Sequence, residues 1–135
     1  MATVIDQHFK NMLAAVPGAE KLLGCFLCGT CTAGCPISEI DKEYDPRKMM
    51  RMILLGKKDD VLKSSELWKC YQCHTCVAHC PQDVRFADIV RAAREYATHE
   101  GICDAGLAEK VALLDMKARK QRLKEVSELL SSLTL

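Results

Sequence analysis

Apolar residues recur at helical spacing along most of the chain. Val4, Ile5, Phe9, Met12 and Leu13 fall near one face of a segment at 3–15, which Pro17-Gly18 closes. Asp45-Pro46 sets a capping carboxylate before a proline suited to the first helical position. A helix through 47–55 is expected from it, stopped by Gly56. Ser64 or Ser65 can cap a short helix running through Leu67 and Trp68 into Cys70. The stretch from Phe86 to His99 gathers Ile89, Val90, Ala93 and Ala97 on one side, and Gly101 follows as its stop. From about Asp104 the chain reads as one helix. Leu107, Val111, Leu114 and Ala118 form a stripe, and Leu123, Val126, Leu130 and Leu133 resume it after a slip. No segment alternates with period two. The expected fold class is therefore all-α, with a helical domain at 1–100 and a helical C-terminal extension at 104–135.

Composition changes this picture at one point. The 135 residues are 49% hydrophobic and 27% charged, an ordinary balance for a folded, soluble chain. The formal net charge of +1 gives no reason to expect nucleic acid or an anionic membrane as a partner. The longest apolar run, Met52-Ile53-Leu54-Leu55, is far too short to span a bilayer. The opening MATVIDQHFK has no apolar core of the secretory kind, so a cytoplasmic, reducing compartment is expected. The abnormal number is nine cysteines beside only one Trp, three Tyr and three Phe. In a reducing compartment those thiols point to metal or redox chemistry rather than to disulfides.

Eight of the nine cysteines form an internal repeat. Cys25, Cys28, Cys31 and Cys35 recur as Cys70, Cys73, Cys76 and Cys80, each displaced by 45 positions. The flanks recur too: Phe26 with Tyr71, Thr30 with Thr75, Ala33 with Ala78, Pro36 with Pro81. Each half is a Cys-x2-Cys-x2-Cys-x3-Cys-Pro run, the pattern of bacterial [4Fe–4S] sites. The cube has four iron corners, each needing one thiolate. Three cysteines spaced by two residues let a tight loop wrap three corners, and the fourth points away. Where two such runs occur, the fourth cysteine ligates the other cluster. One cluster is therefore assigned to Cys25, Cys28, Cys31 and Cys80, and the second to Cys70, Cys73, Cys76 and Cys35. Gly29 and Gly34 are expected to let backbone N–H groups approach the sulfurs; His74 and His79 stand at the matching places, which implies unequal potentials. Eight thiolates and two oxidised cores bring the net charge to roughly −3. Lys42, Arg47, Lys48, Arg51, Lys69, Arg85, Arg91 and Arg94 lie near the runs, to offset that charge, to face an acidic partner or to form solvated helix faces.

Plainer readings stand beside these. Cys-x2-Cys pairs also build structural zinc sites, but zinc wants two pairs across a loop, not four cysteines within eleven residues closed by proline. His74 and His79 could ligate in a mixed cluster, although eight cysteines already fill the positions. Cys103 has no partner pattern and reads as a small buried hydrophobe. Phe26, Trp68 and Tyr71 adjoin the runs, as shields or as ordinary core. The methionines at 49–52 read as core or interface filler, and the C-terminal stripe as self-packing or as a contact with another protein chain.

The runs, their helical spacer and the stretch Leu54-Leu55-Gly56-Lys57-Lys58-Asp59-Asp60-Val61, continued by Leu67-Trp68-Lys69-Cys70, resemble the C-type iron–sulfur subunits of heterodisulfide reductases over about 20–100. The resemblance implies a helical ferredoxin-like fold with two [4Fe–4S] clusters, ligated by the eight cysteines already named. It implies a relay of single electrons between a flavin-bearing A-type subunit and a disulfide-reducing B-type subunit. In several anaerobes that core belongs to a soluble electron-bifurcating complex fed by hydrogenase or formate dehydrogenase. The chain has neither the Cys-Cys-Gly element of a B-type subunit nor the Gly-x-Gly-x-x-Gly fingerprint of an A-type one. Two further readings are the relay of another dehydrogenase complex and a free ferredoxin; one of a different class is a structural zinc scaffold.

Overall fold

The computed structural model describes residues 4–133, and none of these lies in a strand. The helices are α1 (Phe9–Ala14), α2 (Thr30–Ala33), α3 (Pro36–Ile40), α4 (Pro46–Leu54), α5 (Lys58–Leu62), α6 (Glu66–Lys69), α7 (Thr75–His79), α8 (Phe86–His99) and α9 (Leu107–Ser132), with a 3-10 turn at Leu22–Gly24. The chain divides into two compact units, Met1–Cys103 and Asp104–Leu135.

The first unit is built on α1, α4, α5 and α8. Phe9, Leu13, Leu22, Met49, Met50, Ile53, Val61, Leu62, Leu67, Ile89 and Val90 form its buried core. Each such side chain contributes about 1.5–3 kcal/mol by leaving water. With few rings available, methionine fills the space between α4 and its neighbours, and the Phe9–Tyr96 pair is a tilted contact at 6.3 Å. Cys103 packs at the edge of this core, half-buried, its Sγ 3.4 Å from Thr98 Oγ1.

The strongest sequence signals become regular helices. Asp45 Oδ1 accepts the Lys48 N–H at 3.2 Å, Pro46 opens α4, and Gly56 follows its end at φ +74°. The fourteen residues of α8 bury Ile89, Val90, Ala93 and Ala97, with Gly101 beyond the end at φ +66°. At α6 it is Ser64 Oγ that accepts, from the Glu66 N–H at 3.1 Å.

The N-terminal segment departs from the expected helix at 3–15. Thr3 lies outside the described residues, and α1 begins only at Phe9. Asp6 is the reason. Its N–H donates to the Gly56 carbonyl at 2.8 Å, and its carboxylate accepts the His8 N–H at 2.9 Å. Both bonds hold the chain in a turn. Val4 and Ile5 consequently stay exposed, at 78% and 60%, and do not join the core.

In the second unit α9 is one continuous helix of 26 residues with no residue buried. Its apolar stripe slips between Ala118 and Leu123, so its two halves present different faces. Among the described residues no helix is long and apolar enough to cross a membrane.

Gly56 is held in place by a close approach as well as by its positive φ: a Cβ there would lie 2.3 Å from the Asp6 carbonyl oxygen. Gly101 shares the left-handed conformation but has open space around it. Gly101→Ala should therefore cost about 1–2 kcal/mol from backbone conformation alone, and Gly56→Ala at least about twice that, because the backbone must shift. Thermal unfolding of the two variants checks the order.

Candidate metal centre

The two cysteine runs fold alike. In the first, Cys25 leaves the 3-10 turn extended, Leu27 and Gly29 turn left-handed (φ +58° and +88°), and α2 then carries Cys31. In the second, Cys70 leaves α6, Gln72 and His74 turn left-handed (φ +54° and +59°), and α7 carries Cys76. Cys35 and Cys80 are both extended, with ψ of 120° and 119°. Glycine supplies the second left-handed position in one run only. Leu27, Gln72 and His74 adopt it at a cost of about 1–2 kcal/mol each, a strain typical of loops shaped for a site.

The runs meet through α2 and α7, which pack on each other. At this contact Gly34 faces its own repeat counterpart. A Cβ on Gly34 would lie 3.4 Å from His79 Nδ1. Gly34 has φ −97°, an ordinary value. Gly34 thus sits at the contact between the runs, with His79 at ordinary van der Waals distance.

The cysteines ring two cavities. Cys25, Cys28, Cys31 and Cys80 line one, together with Cys76. Cys35, Cys70, Cys73 and Cys76 line the other, together with Cys31. Cys31 and Cys76 thus stand in the wall between them. Arg47 borders the first cavity, and Tyr71 and His74 border the second.

Hydrogen-bond donors surround the sulfurs. The Val84 N–H donates to Cys80 Sγ at 3.3 Å, and Gln72 Nε2 lies 3.4 Å from Cys70 Sγ. The repeated threonines pair with the second cysteine of each run: Thr30 Oγ1 lies 3.3 Å from Cys28 Sγ, and Thr75 Oγ1 accepts from the Cys73 thiol at 3.4 Å. The Thr30 hydroxyl holds the exposed Cys28 thiol below its ordinary value. Burial has the opposite effect on Cys25, Cys31 and Cys70, and it pushes Cys76 up to about 11. These four thiols are protonated at neutral pH without a metal, so binding one must release protons.

The donor set fits a cluster better than a single ion. Tetrahedral zinc would draw four sulfurs to about 3.8 Å of one another, given Zn–S bonds of about 2.3 Å. Among the described residues no three Cys, His, Asp or Glu side chains converge that way. Cysteines spread around two cavities suit cubes whose irons sit at separate corners.

Some neighbours have roles that hydrophobic patterning does not reveal. Arg94 donates to the Leu67 and Cys70 carbonyls at 2.9 and 2.8 Å and lies 5.1 Å from the Trp68 ring centre. It ties the approach to Cys70 onto α8. Lys69 pairs with Asp41 at 2.7 Å, Arg85 with Asp88 at 2.8 Å, and Arg91 with Glu95 at 2.8 Å. Phe26 is 58% exposed, and is neither core nor shield.

Residues 21–84 match the family model described as a 4Fe-4S dicluster domain. The chain is 38% identical over 107 residues to the second C-type iron–sulfur subunit of the CoB–CoM heterodisulfide reductase of Methanocaldococcus jannaschii (72% of this chain, 56% of that protein). It is 47% identical over 98 residues to the corresponding C-type iron–sulfur subunit of Methanopyrus kandleri (70% and 50%). It is 43% identical over 89 residues to the second C-type subunit of the H(2)/formate:CoB-CoM heterodisulfide,ferredoxin reductase of Methanococcus maripaludis (64% and 47%). The chain spans about half the length of these curated relatives.

The cavity linings make a test of ligand exchange direct. Cys80→Ala should disturb the cluster seated on Cys25, Cys28 and Cys31, and Cys35→Ala the one seated on Cys70, Cys73 and Cys76. EPR of the two reduced variants distinguishes them; damage confined in each case to the cluster of the mutated run would refute the exchange.

Proposed function

We infer the function of this chain from its family: it belongs to that of the C-type iron–sulfur subunits of heterodisulfide reductase and carries two [4Fe–4S] clusters. It is an electron-transfer subunit. It accepts electrons one at a time from a flavin-bearing A-type subunit and delivers them to a B-type subunit that reduces a disulfide. The setting is a soluble, cytoplasmic, electron-bifurcating complex of anaerobic metabolism supplied by hydrogenase or formate dehydrogenase. The first cluster is held by Cys25, Cys28, Cys31 and Cys80, the second by Cys70, Cys73, Cys76 and Cys35.

The observation that carries this reading is the pair of adjoining cavities with Cys31 and Cys76 in the wall between them. Two cubes seated there would be close neighbours, which is what a one-electron relay needs. The cluster supplies the redox change. The chain supplies ligation, spacing, desolvation and hydrogen bonds to sulfur. The name of the Methanococcus maripaludis relative, which joins dihydrogen or formate to a heterodisulfide and ferredoxin, supports the wider setting. The helical extension at 104–135 is read as the segment that anchors the chain in its complex, since none of its described residues is buried.

Protein isolated without oxygen should be brown, hold about eight irons per chain and bleach with dithionite. It should co-purify with a flavoprotein and a Cys-Cys-Gly protein. Colourless material containing zinc would end the iron–sulfur reading; a lone brown monomer would identify a free carrier instead. Removing 104–135 should leave the iron content unchanged and weaken co-purification at least about tenfold, roughly 1.4 kcal/mol. A pull-down that retains both partners at full yield removes the tail from the interface.

A further inference from the structure

Tyr44 is 1% exposed, and its hydroxyl is a buried polar atom without a hydrogen-bond partner in the structure. Buried phenols nearly always have one, because an unmet O–H costs about 1–3 kcal/mol. Its backbone offers no explanation. The Tyr44 N–H donates to the Asp41 carbonyl at 3.1 Å, and its carbonyl accepts the Ser38 hydroxyl at 2.9 Å. The side chain itself lines the cavity ringed by Cys35, Cys70, Cys73 and Cys76.

The other cavity shows what is unusual here. A helix beyond each run begins with a buried residue that lines a cavity: Pro46 of α4 at the second, and Phe86 of α8 at the first, where it also reaches the second. Two residues before each stands a buried side chain that also lines that cavity. At the second cavity it is Tyr44; at the first it is Val84. Val84 brings only its backbone N–H to a sulfur, that of Cys80. Tyr44 has its own N–H committed elsewhere and brings a hydroxyl. The two cavities therefore differ by one buried donor group.

We propose that the Tyr44 hydroxyl donates a hydrogen bond to a cysteine sulfur of the second cluster and raises that cluster's reduction potential above the value its ligands alone would set. A donor to thiolate sulfur stabilises the more negative, reduced cluster over the oxidised one, so the potential rises.

This inference rests on the ligand assignment given under the proposed function. The test is an EPR-monitored titration with dithionite on the complete chain, wild type and Tyr44→Phe, with iron content measured on both. The wild type should show two [4Fe–4S] centres. Tyr44→Phe should keep both and lower one midpoint, the one belonging to the signal that Cys35→Ala removes. The reduced-to-oxidised ratio of that centre should fall about tenfold at fixed potential, which for one electron is about 59 mV. The other midpoint should stay unchanged. Two centres with unaltered midpoints in Tyr44→Phe overturn the inference and leave the relay reading intact; fewer than two centres in the wild type overturn both. If Tyr44→Phe loses iron, site-specific replacement of Tyr44 by 3-fluorotyrosine decides: the stronger phenol donor should raise the second midpoint and leave the first, and an unmoved second midpoint overturns the hydroxyl donor.

Discussion

The two cavities share a wall, and cysteines from both halves of the chain line each of them. That constraint organises the first unit. A single loop can offer three thiols when cysteines stand three apart and two intervening residues turn left-handed; both runs do this with positive φ at matching positions. Each cavity also takes cysteines from the other half, where an extended Cys35 or Cys80 precedes proline. Proline there fixes φ and withholds an N–H, so the helix carrying the third cysteine cannot run through the fourth. The strain of Leu27, Gln72 and His74, and the desolvation of four thiols, oppose this arrangement in the empty protein. Whatever binds in the cavities must offset both. Cofactor insertion and folding are for that reason a single event thermodynamically.

The long helices were legible because their signals are local and redundant. Asp45, Pro46 and Gly56 mark both ends of α4, and α8 repeats small and branched apolar residues at helical spacing until Gly101. The departures each come from a contact that spacing along the chain does not show. Asp6 bonds to Gly56 some fifty positions away and so delays α1. The short helices α2 and α7 are four and five residues long, less than two turns, and carry no periodicity to read. Gly34 lies against His79, from the matching place in the other run. The repeat was obvious in the sequence; that its two copies touch at this pair was not.

That all eight repeated cysteines gather at two adjoining cavities was readable from their spacing. Their surroundings were not, because hydrogen bonds to sulfur come from wherever a donor lies. Gln72 belongs to the second run itself. The Val84 N–H arrives from another segment, and nothing in the sequence pattern separates a phenol that fills space from one that donates.

The two halves share a backbone and differ in chemistry. Glycine stands where the second run has His74, Arg47 borders one cavity only, and a phenol meets the second cavity where an isopropyl group meets the first. A symmetric pair of clusters would hold an electron equally on either and give it no preferred resting place. Unequal donors break that degeneracy without altering a single ligand, since each hydrogen bond to sulfur acts on charge and not on coordination. Duplication thus supplies two like cavities side by side, and side-chain divergence around unchanged cysteines gives each a different polar surrounding.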